Sequence, residues 1–468
     1  MNRRKFIPAA VGGAVVAAAG IGYLTRNYWS PAVPSPTTPS PTVLHTETPI
    51  FKPLEAAFDY SPKSKYILQD PNQAIDFKNL TEYSGDKPAC EWSVDGVTSQ
   101  NWDYSTKLSP GKHTIRLTVR DNKTNDWTGE DIEVDEYGPD YPERSLNVEI
   151  KGINYTPGHT PFYMTNLPDD RVKEDIDVIH DDLQCNGIII FGYPPFRVIE
   201  CAKLALNRGY KRVILHTRLY GGDESSYSVF IEELAKEGEK LRTDSDSIVL
   251  SIGNEYCIES DAIFGHDYNY RTLHVGQLMN AIPDWNSRLT SMINRMSSVA
   301  RKYFKGRLTY AAAWWENVQW DKVDVDMIGT SEYFDKNRPD AAQVGAVGAT
   351  EVSLKRLGLL ASKIKKPLLI PEFGSCAYLG ACEDGGSAWV HALPDMPKKS
   401  YDEEAQARCI EKYMEIFSNL GYVDECYLYN YYQRNTWELV PDKAANFSIM
   451  DNRRRTRAFH MYGSFKTS

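Results

Sequence analysis

Two glutamates carry the strongest chemical signal in the chain. Glu255 closes the segment Ser251-Ile252-Gly253-Asn254-Glu255. Glu372 lies in Pro367-Leu368-Leu369-Ile370-Pro371-Glu372-Phe373-Gly374. Each stands where an apolar, strand-like run meets a loop. A carboxylate at such a junction sits on a partly buried floor, and burial and neighbouring charge are what drive the pKa values of two carboxyls apart. Two such groups facing one another are the minimum equipment for cleaving a glycosidic bond: one protonates the leaving oxygen while the other attacks the anomeric carbon. Asn-Glu and Pro-Glu-Phe-Gly are weak motifs singly. Their weight comes from occurring together, in order, on two separate runs.

Aromatic residues crowd the same kind of position. Trp314 and Trp315 end another apolar run beside Glu316. Neighbouring strand residues point to opposite faces, so one indole is expected to face a cleft and the other to pack under helices. The C–H face of a sugar stacks well on an indole. Trp389 follows the Gly-rich Gly385-Gly386-Ser387 loop, where it is either a cleft residue or a loop anchor. The cysteines at 90, 185, 201, 257, 376, 382, 409 and 426 include no Cys-x-x-Cys and no His/Cys cluster with zinc spacing. No metal or organic cofactor is therefore expected.

The elements that must position these residues alternate. Strand-like runs fall at Asn147–Tyr155, Gly187–Phe191, Arg212–His216, Ile248–Ile252, Leu308–Ala313, Met327–Ser331, Pro367–Ile370 and Cys426–Tyr431. Helix-period stretches lie between them: Asp169–Asp182, Ile199–Arg208, Tyr227–Arg242, Trp285–Lys302, Val352–Lys366 and Tyr401–Leu420. This is an α/β pattern with a parallel sheet. Eight units over residues 148–468 fit a (β/α)₈ TIM barrel, whose chemistry sits at the C-terminal ends of its strands. An open doubly wound sheet is the alternative, but no G-x-G-x-x-G follows the first run and no P-loop occurs.

On these residues, Lys151–Phe465 resembles the clan A retaining glycoside hydrolases, (β/α)₈ enzymes that include the family 5 cellulases and mannanases. The resemblance rests on Asn254-Glu255 after the fourth run and Glu372 after the seventh. It implies that Glu255 is the general acid/base, Glu372 the nucleophile, and Asn254 the partner of the sugar 2-hydroxyl. Val325–Tyr333 resembles the sixth strand, which implies that Tyr333 steers the nucleophile. His216 matches a His found at the end of strand three. Family 5 members carry an Arg near the second strand and offer a Trp from the eighth. Here the second run has no Arg, and Arg218, after the third, is the candidate replacement. At the eighth, Trp437 or a tyrosine such as Tyr431 would serve. The expected substrate is an oligo- or polysaccharide. The alternatives are a catalytically degenerate barrel acting as a carbohydrate-binding or cell-surface protein, and an adhesion protein whose active module lies nearer the N-terminus.

Residues 1–30 are laid out for export: Arg3, Arg4 and Lys5 precede an uncharged run rich in Ala, Val and Gly. The Arg3-Arg4 pair followed by Phe6 resembles a twin-arginine signal. The run is short for a bilayer span of about 20 residues, and a cleaved signal and an N-terminal membrane anchor both stay open. Residues 31–52, rich in Pro, Ser and Thr, read as an extended tether. An extracellular or cell-surface-attached protein is expected. Residues 53–137 alternate short strands with turns, as in an all-β sandwich. Ala56–Phe77, Cys90–Gly96 and Leu108–Asn122 resemble a PKD-type immunoglobulin-like domain. That implies a spacer or carbohydrate/protein-interaction module and not catalysis, with Trp92 in its core.

The chain of 468 residues has 53 Lys+Arg against 63 Asp+Glu, a net charge of −10. This argues against nucleic acid as the main partner, which needs a basic face. Arg453-Arg454-Arg455 reads as part of a solvated loop into a last helix, Thr456–Tyr462. Exported cysteines permit disulfides; Cys376–Cys382, Cys409–Cys426 and Cys185–Cys201 are spaced for them, with buried thiols as the alternative. Sequons occur at Asn79, Asn122, Asn154 and Asn446. Oligomeric state is not legible.

Overall fold

In the computed structural model the described residues are 54–61, 75–83, 86–108, 111–121, 125–134, 141–157, 167–244, 247–265, 267–281, 285–392, 396–432, 443–451 and 454–467. The expected export signal, the tether, Trp437, Arg453 and Asn122 lie outside them. Among the described residues no helix is long and apolar enough to cross a membrane.

Residues 54–134 form two antiparallel sheets. One has three strands, Phe58–Ser61, Ile75–Asn79 and Tyr104–Thr106. The other has four, in the order Val97–Ser99, Ala89–Val94, Gly111–Arg120 and Asn125–Val134. Alternate residues of both face a common core of Phe77, Trp92, Ile115, Leu117 and Val119. Trp92 is fully buried. Phe58 meets it edge-on at 5.3 Å, and its Nε1 donates to Trp102 O at 3.1 Å.

The second part is a closed barrel of eight parallel strands. They are β1 (Ile150–Tyr155), β2 (Gly187–Phe191), β3 (Arg212–His216), β4 (Ile248–Asn254), β5 (Arg307–Ala313), β6 (Ile328–Ser331), β7 (Leu368–Phe373) and β8 (Glu425–Leu428). Helices cover one face and side chains fill the other, so the strands are buried on both sides and read as unbroken apolar runs. One interior layer holds Ile150, Ile189, Ile214, Val249, Met327, Leu369 and Tyr427. The Tyr427 ring needs Gly152 beneath it, where a Cβ would stand 2.4 Å away. Its hydroxyl donates to Glu425 at 2.9 Å, and Glu425 pairs with Arg212 at 2.9 Å. This ion pair joins the first residues of β3 and β8, at the N-terminal end of the barrel, where a charge serves stability and not chemistry.

Several boundaries moved. β7 runs on to Phe373, so Glu372 is inside the strand and not in the loop. β8 stops at Leu428, which leaves Tyr431 three residues beyond it. The helix expected at Val352–Lys366 begins at Ala341, with non-helical backbone at Gly345. The proposed cysteine pairs do not form: Cys382 is bonded to Cys409, with Cα atoms 5.7 Å apart, tying the loop after β7 to helix Glu403–Leu420. Cys185, Cys201, Cys376 and Cys426 are buried thiols. Arg455 is no part of a solvated loop either. It is buried against Asp182 and the Phe459 ring. Asn79 and Asn154 are buried, which removes them as glycosylation sites.

Candidate active site

Glu255 follows β4 directly. The β4–β5 register slips between Ser251 and Asn254, and such a bulge re-aims the side chains beyond it. Glu255 itself has left-handed backbone, φ 38° and ψ 58°, which costs a non-glycine residue about 1–3 kcal/mol. Its N–H donates to Ala311 O at 2.8 Å, and its carbonyl accepts from Ile258 and Glu259 in the short helix Tyr256–Glu259. Glu316 holds that turn. Its carboxylate accepts from the backbone N–H of Cys257 at 2.8 Å and of Ala313 at 3.0 Å, and from the Tyr310 hydroxyl at 2.8 Å. Gly253 leaves the space occupied by the Tyr256 ring, 2.2 Å from where its Cβ would lie.

Glu372 lies beside a second register slip, between Ile370 and Phe373 in β7–β8. It is 3% exposed and accepts two hydrogen bonds. Arg218 Nη1 donates to Oε1 at 2.8 Å, and the Tyr333 hydroxyl donates to Oε2 at 3.0 Å. Tyr333 is itself held from behind: Arg338 donates to its carbonyl at 2.9 Å and to Glu332 at 2.6 Å. Gly386, in the loop after β7, lies against the ring of Tyr333.

Arg218 joins the two halves of the site. While Nη1 holds Glu372, Nε donates to Glu259 Oε1 at 2.8 Å. Glu259 accepts on the same oxygen from Asn254 Nδ2 at 2.9 Å. The guanidinium carbon is 5.3, 5.1 and 5.2 Å from the ring centres of Phe191, Tyr220 and Tyr429. A planar cation can serve two carboxylates from two edges while its faces stay against rings.

The electrostatics are uneven. Burial pushes the Glu255 carboxyl well above the ordinary range. The charges of Glu372, Glu316 and Glu259 push the same way, and Arg218 opposes them. Burial also raises Glu259, to about 7, against the pull of Arg218 and Asn254. His216, at the end of β3, is held down to about 3 by burial and by the Arg218 charge, with the neighbouring Asn254 side chain working the other way; neither ring nitrogen has a hydrogen-bond partner among the described residues. It is a neutral imidazole. Burial first, then the Glu372 charge, raises the Tyr333 hydroxyl, which stays a donor.

The structure thus brings Glu255, Glu372, Asn254, Tyr333, His216 and Arg218 to one end of the barrel. The aromatic candidates fare differently. Trp315 is buried in the barrel's hydrophobic core, while Trp314 is half-buried with Arg338 4.4 Å from its ring centre. Trp389 packs with Tyr333, Cys376 and Tyr378 as a loop anchor. Tyr431 points away from the pair: its hydroxyl donates to Asp175 on helix Asp169–Asp181 at 3.2 Å, beside Tyr155. Its place at the Arg218 cluster is taken by Tyr429, which had no strand-end position in the expected Cys426–Tyr431 run. Glu259, Tyr220 and Tyr268 were also missed. Tyr268 stands edge-on to Tyr220 at 5.4 Å, and Glu259 and Arg218 both act on its hydroxyl. Among the described residues no group of His, Cys, Asp or Glu is arranged to hold a metal ion.

No protein-family model and no curated protein sequence matches the chain. Among solved structures it is similar to a GH113 β-1,4-mannanase, at 17% identity and a TM-score of 0.44, over 68% of this chain and 98% of that one. It is also similar to a β-glucuronidase from Ruminococcus gnavus, at 14% identity and a TM-score of 0.43, over 88% of this chain and 67% of that one. A β-glucuronidase from Bacteroides uniformis stands at 14% identity and a TM-score of 0.46, over 83% of this chain and 48% of that one.

Proposed function

We propose that the chain is a retaining glycoside hydrolase with Glu372 as nucleophile and Glu255 as general acid/base. The observation that carries this is the unequal environment of the two carboxyls. Glu372 accepts from a guanidinium and a hydroxyl, the donors an ionised nucleophile requires. Glu255 is buried, with the charges of Glu372, Glu316 and Glu259 acting on it, and keeps its proton to higher pH. In the first step a Glu372 oxygen bonds to the anomeric carbon, the glycosidic C–O bond breaks, and the leaving oxygen takes the proton of Glu255. In the second, Glu255 takes a proton from water, the water oxygen bonds to the anomeric carbon, and Glu372 is released.

Asn254 and His216, beside the pair, would contact the sugar, with Tyr429 and Tyr268 as its aromatic neighbours. Arg218 and Tyr333 hold the nucleophile. The reading extends to an exported protein, tethered through residues 31–52, with a PKD-like module at 53–137 ahead of the catalytic barrel at 148–468.

The test is hydrolysis of a panel of aryl glycosides by the wild type and by Glu372→Ala, with the anomer of the first-formed product followed by NMR. Loss of turnover in the variant and retention of configuration in the wild type are expected. Turnover by Glu372→Ala, or an inverted product, would overturn the assignment.

A further inference from the structure

The outer face of the four-stranded sheet in residues 54–134 has features that the chemistry at the barrel does not use. Trp127 is 57% exposed, and no other described tryptophan is as open. It lies in register with Thr118, which pairs in turn with Glu91; two residues along the same strand, Gly129 pairs with Arg116. These residues alternate with Ile115, Leu117, Val119 and Trp92 of the core, so they share the opposite face. Arg116 holds its guanidinium carbon 4.1 Å from the centre of the Trp127 ring. Beside this row is a groove of about 310 Å³ lined by Lys87, Glu91, Trp102, Thr118 and Arg120 among others. Lys87 stands 4.1 Å from the centre of the Trp102 ring, which Tyr83 meets edge-on at 5.6 Å. Strands are spaced about 4.8 Å apart, so Glu91 and Trp127, two strands apart, frame a strip roughly 10 Å wide.

We propose that this strip, with Trp127 and Trp102 flanking a floor of Thr118 and Arg120, is a second, non-catalytic binding site for an acidic polysaccharide. Rings with cations against them suit a sugar that presents C–H groups to an indole and a carboxylate to a guanidinium or ammonium. On this face Lys87, Arg116 and Arg120 outnumber Glu91 and Asp131, and Asp131 already accepts from the Thr114 hydroxyl at 2.9 Å, in a chain whose net charge is −10. The attraction is therefore local and falls with salt. A neutral glycan would offer these cations no opposite charge. Single-stranded nucleic acid also stacks on indoles; the choice of a glycan rests on the glycosidase reading of the barrel.

The experiment is affinity electrophoresis of the full chain carrying Glu372→Ala, so that the polymer in the gel is not consumed. The gels contain polygalacturonate or a neutral mannan, and single-stranded DNA is titrated in parallel. Polygalacturonate should retard the protein, less so at raised ionic strength. Trp127→Ala and Arg120→Ala should each weaken the retardation by roughly tenfold, with circular dichroism unchanged because both side chains lie outside the core. Undiminished retardation of Trp127→Ala, equal retardation by mannan, or tighter binding of DNA would overturn the proposal. Aryl-glycoside turnover by Trp127→Ala with Glu372 intact is read separately, so failure of the strip leaves the barrel assignment standing, and loss of the barrel assignment leaves the binding result standing.

Discussion

Arg218 is the residue whose replacement separates the proposed mechanism from an incidental cluster of charges. Its side chain is 10% exposed and pairs with Glu259 and Glu372, which are 2% and 4% exposed. Arg218→Met keeps the length and the apolar contact with Phe191, Tyr220 and Tyr429 but removes the cation that bonds Glu259 and Glu372 and acts on Glu255. Breaking a buried pair by deleting one partner costs about 3–5 kcal/mol. The carboxyls can relieve part of that by taking up protons, so the lower figure is expected in urea unfolding near neutral pH and a smaller one in acid. For catalysis, the lost bond to Glu372 is a hydrogen bond to a charged group, worth about 1.5–3 kcal/mol. At about 1.4 kcal/mol per decade that is a fall of roughly 10- to 150-fold in kcat/KM.

The pH profile carries the more diagnostic sign. Arg218 lowers the pKa of Glu255. Without it Glu255 keeps its proton to still higher pH, so the alkaline limb of kcat/KM moves up. Arg218→Lys restores one charge but not the two-edged fork, and should lie between wild type and Arg218→Met in both rate and stability. The measurement is kcat/KM across pH for the three proteins on one activated aryl glycoside, with urea unfolding alongside. A folded Arg218→Met enzyme with unchanged kcat/KM and an unmoved alkaline limb would refute the argument that this guanidinium organises the pair.

Other expectations are simpler. Tyr333→Phe removes only the 3.0 Å bond to Glu372; kcat should fall by about 10- to 150-fold, with KM and melting temperature little changed, by steady-state kinetics and calorimetry. Glu255→Ala should lose the alkaline limb, because that limb reports the proton on this raised carboxyl and activity disappears as pH rises through its pKa. Azide, a nucleophile that needs no general base, should restore turnover of an activated substrate and give the glycosyl azide. Cys409→Ala opens a loop with a sequence separation of 27; the chain-entropy estimate for that length is about 3.5 kcal/mol. Chemical unfolding should show the loss, and a reductant should destabilise the wild type but not the variant.

The sequence carried the barrel and the two glutamates for one physical reason. Strands buried on both faces must be continuous apolar runs, and a carboxylate breaking such a run at its C-terminal end is conspicuous. β2 and β3 were bounded correctly at both ends: Asn186 and Gly192 bracket the apolar run of β2, and Arg212 and His216 mark the two ends of β3. Tyr431 was misplaced because periodicity does not say where pairing stops; β8 ends at Leu428, so the side chain that reaches the site belongs to Tyr429. Glu259 was unreadable. It lies in a short helix created by the left-handed turn at Glu255, and a one-turn helix has no periodic signature. The Cys382–Cys409 bond was missed for a related reason: sequence spacing favours near neighbours, while this bond spans 27 residues of the β7–β8 connection, from the segment after β7 to the helix that precedes β8.

The absence of an arginine on β2 looked in the sequence like a missing part, and it motivated a binding-only barrel. The geometry shows what occupies that place. β3 is paired along its whole length with β2, Gly187 with Arg212 through to Phe191 with His216. A side chain two residues past the end of β3 can therefore reach over the ring of Phe191, the last residue of β2, to the far side of the barrel mouth. Arg218 does so, and the rings of Phe191, Tyr220 and Tyr429 fix its path. What Glu372 would need as the proposed nucleophile is a guanidinium at hydrogen-bond distance, not one from a particular strand, and a neighbouring strand supplies it at the cost of burying a second carboxylate. Glu259 is that carboxylate. Because it also accepts from Asn254, the residue before the proposed acid/base, the substituted arginine ties the positions of the two proposed catalytic glutamates to each other.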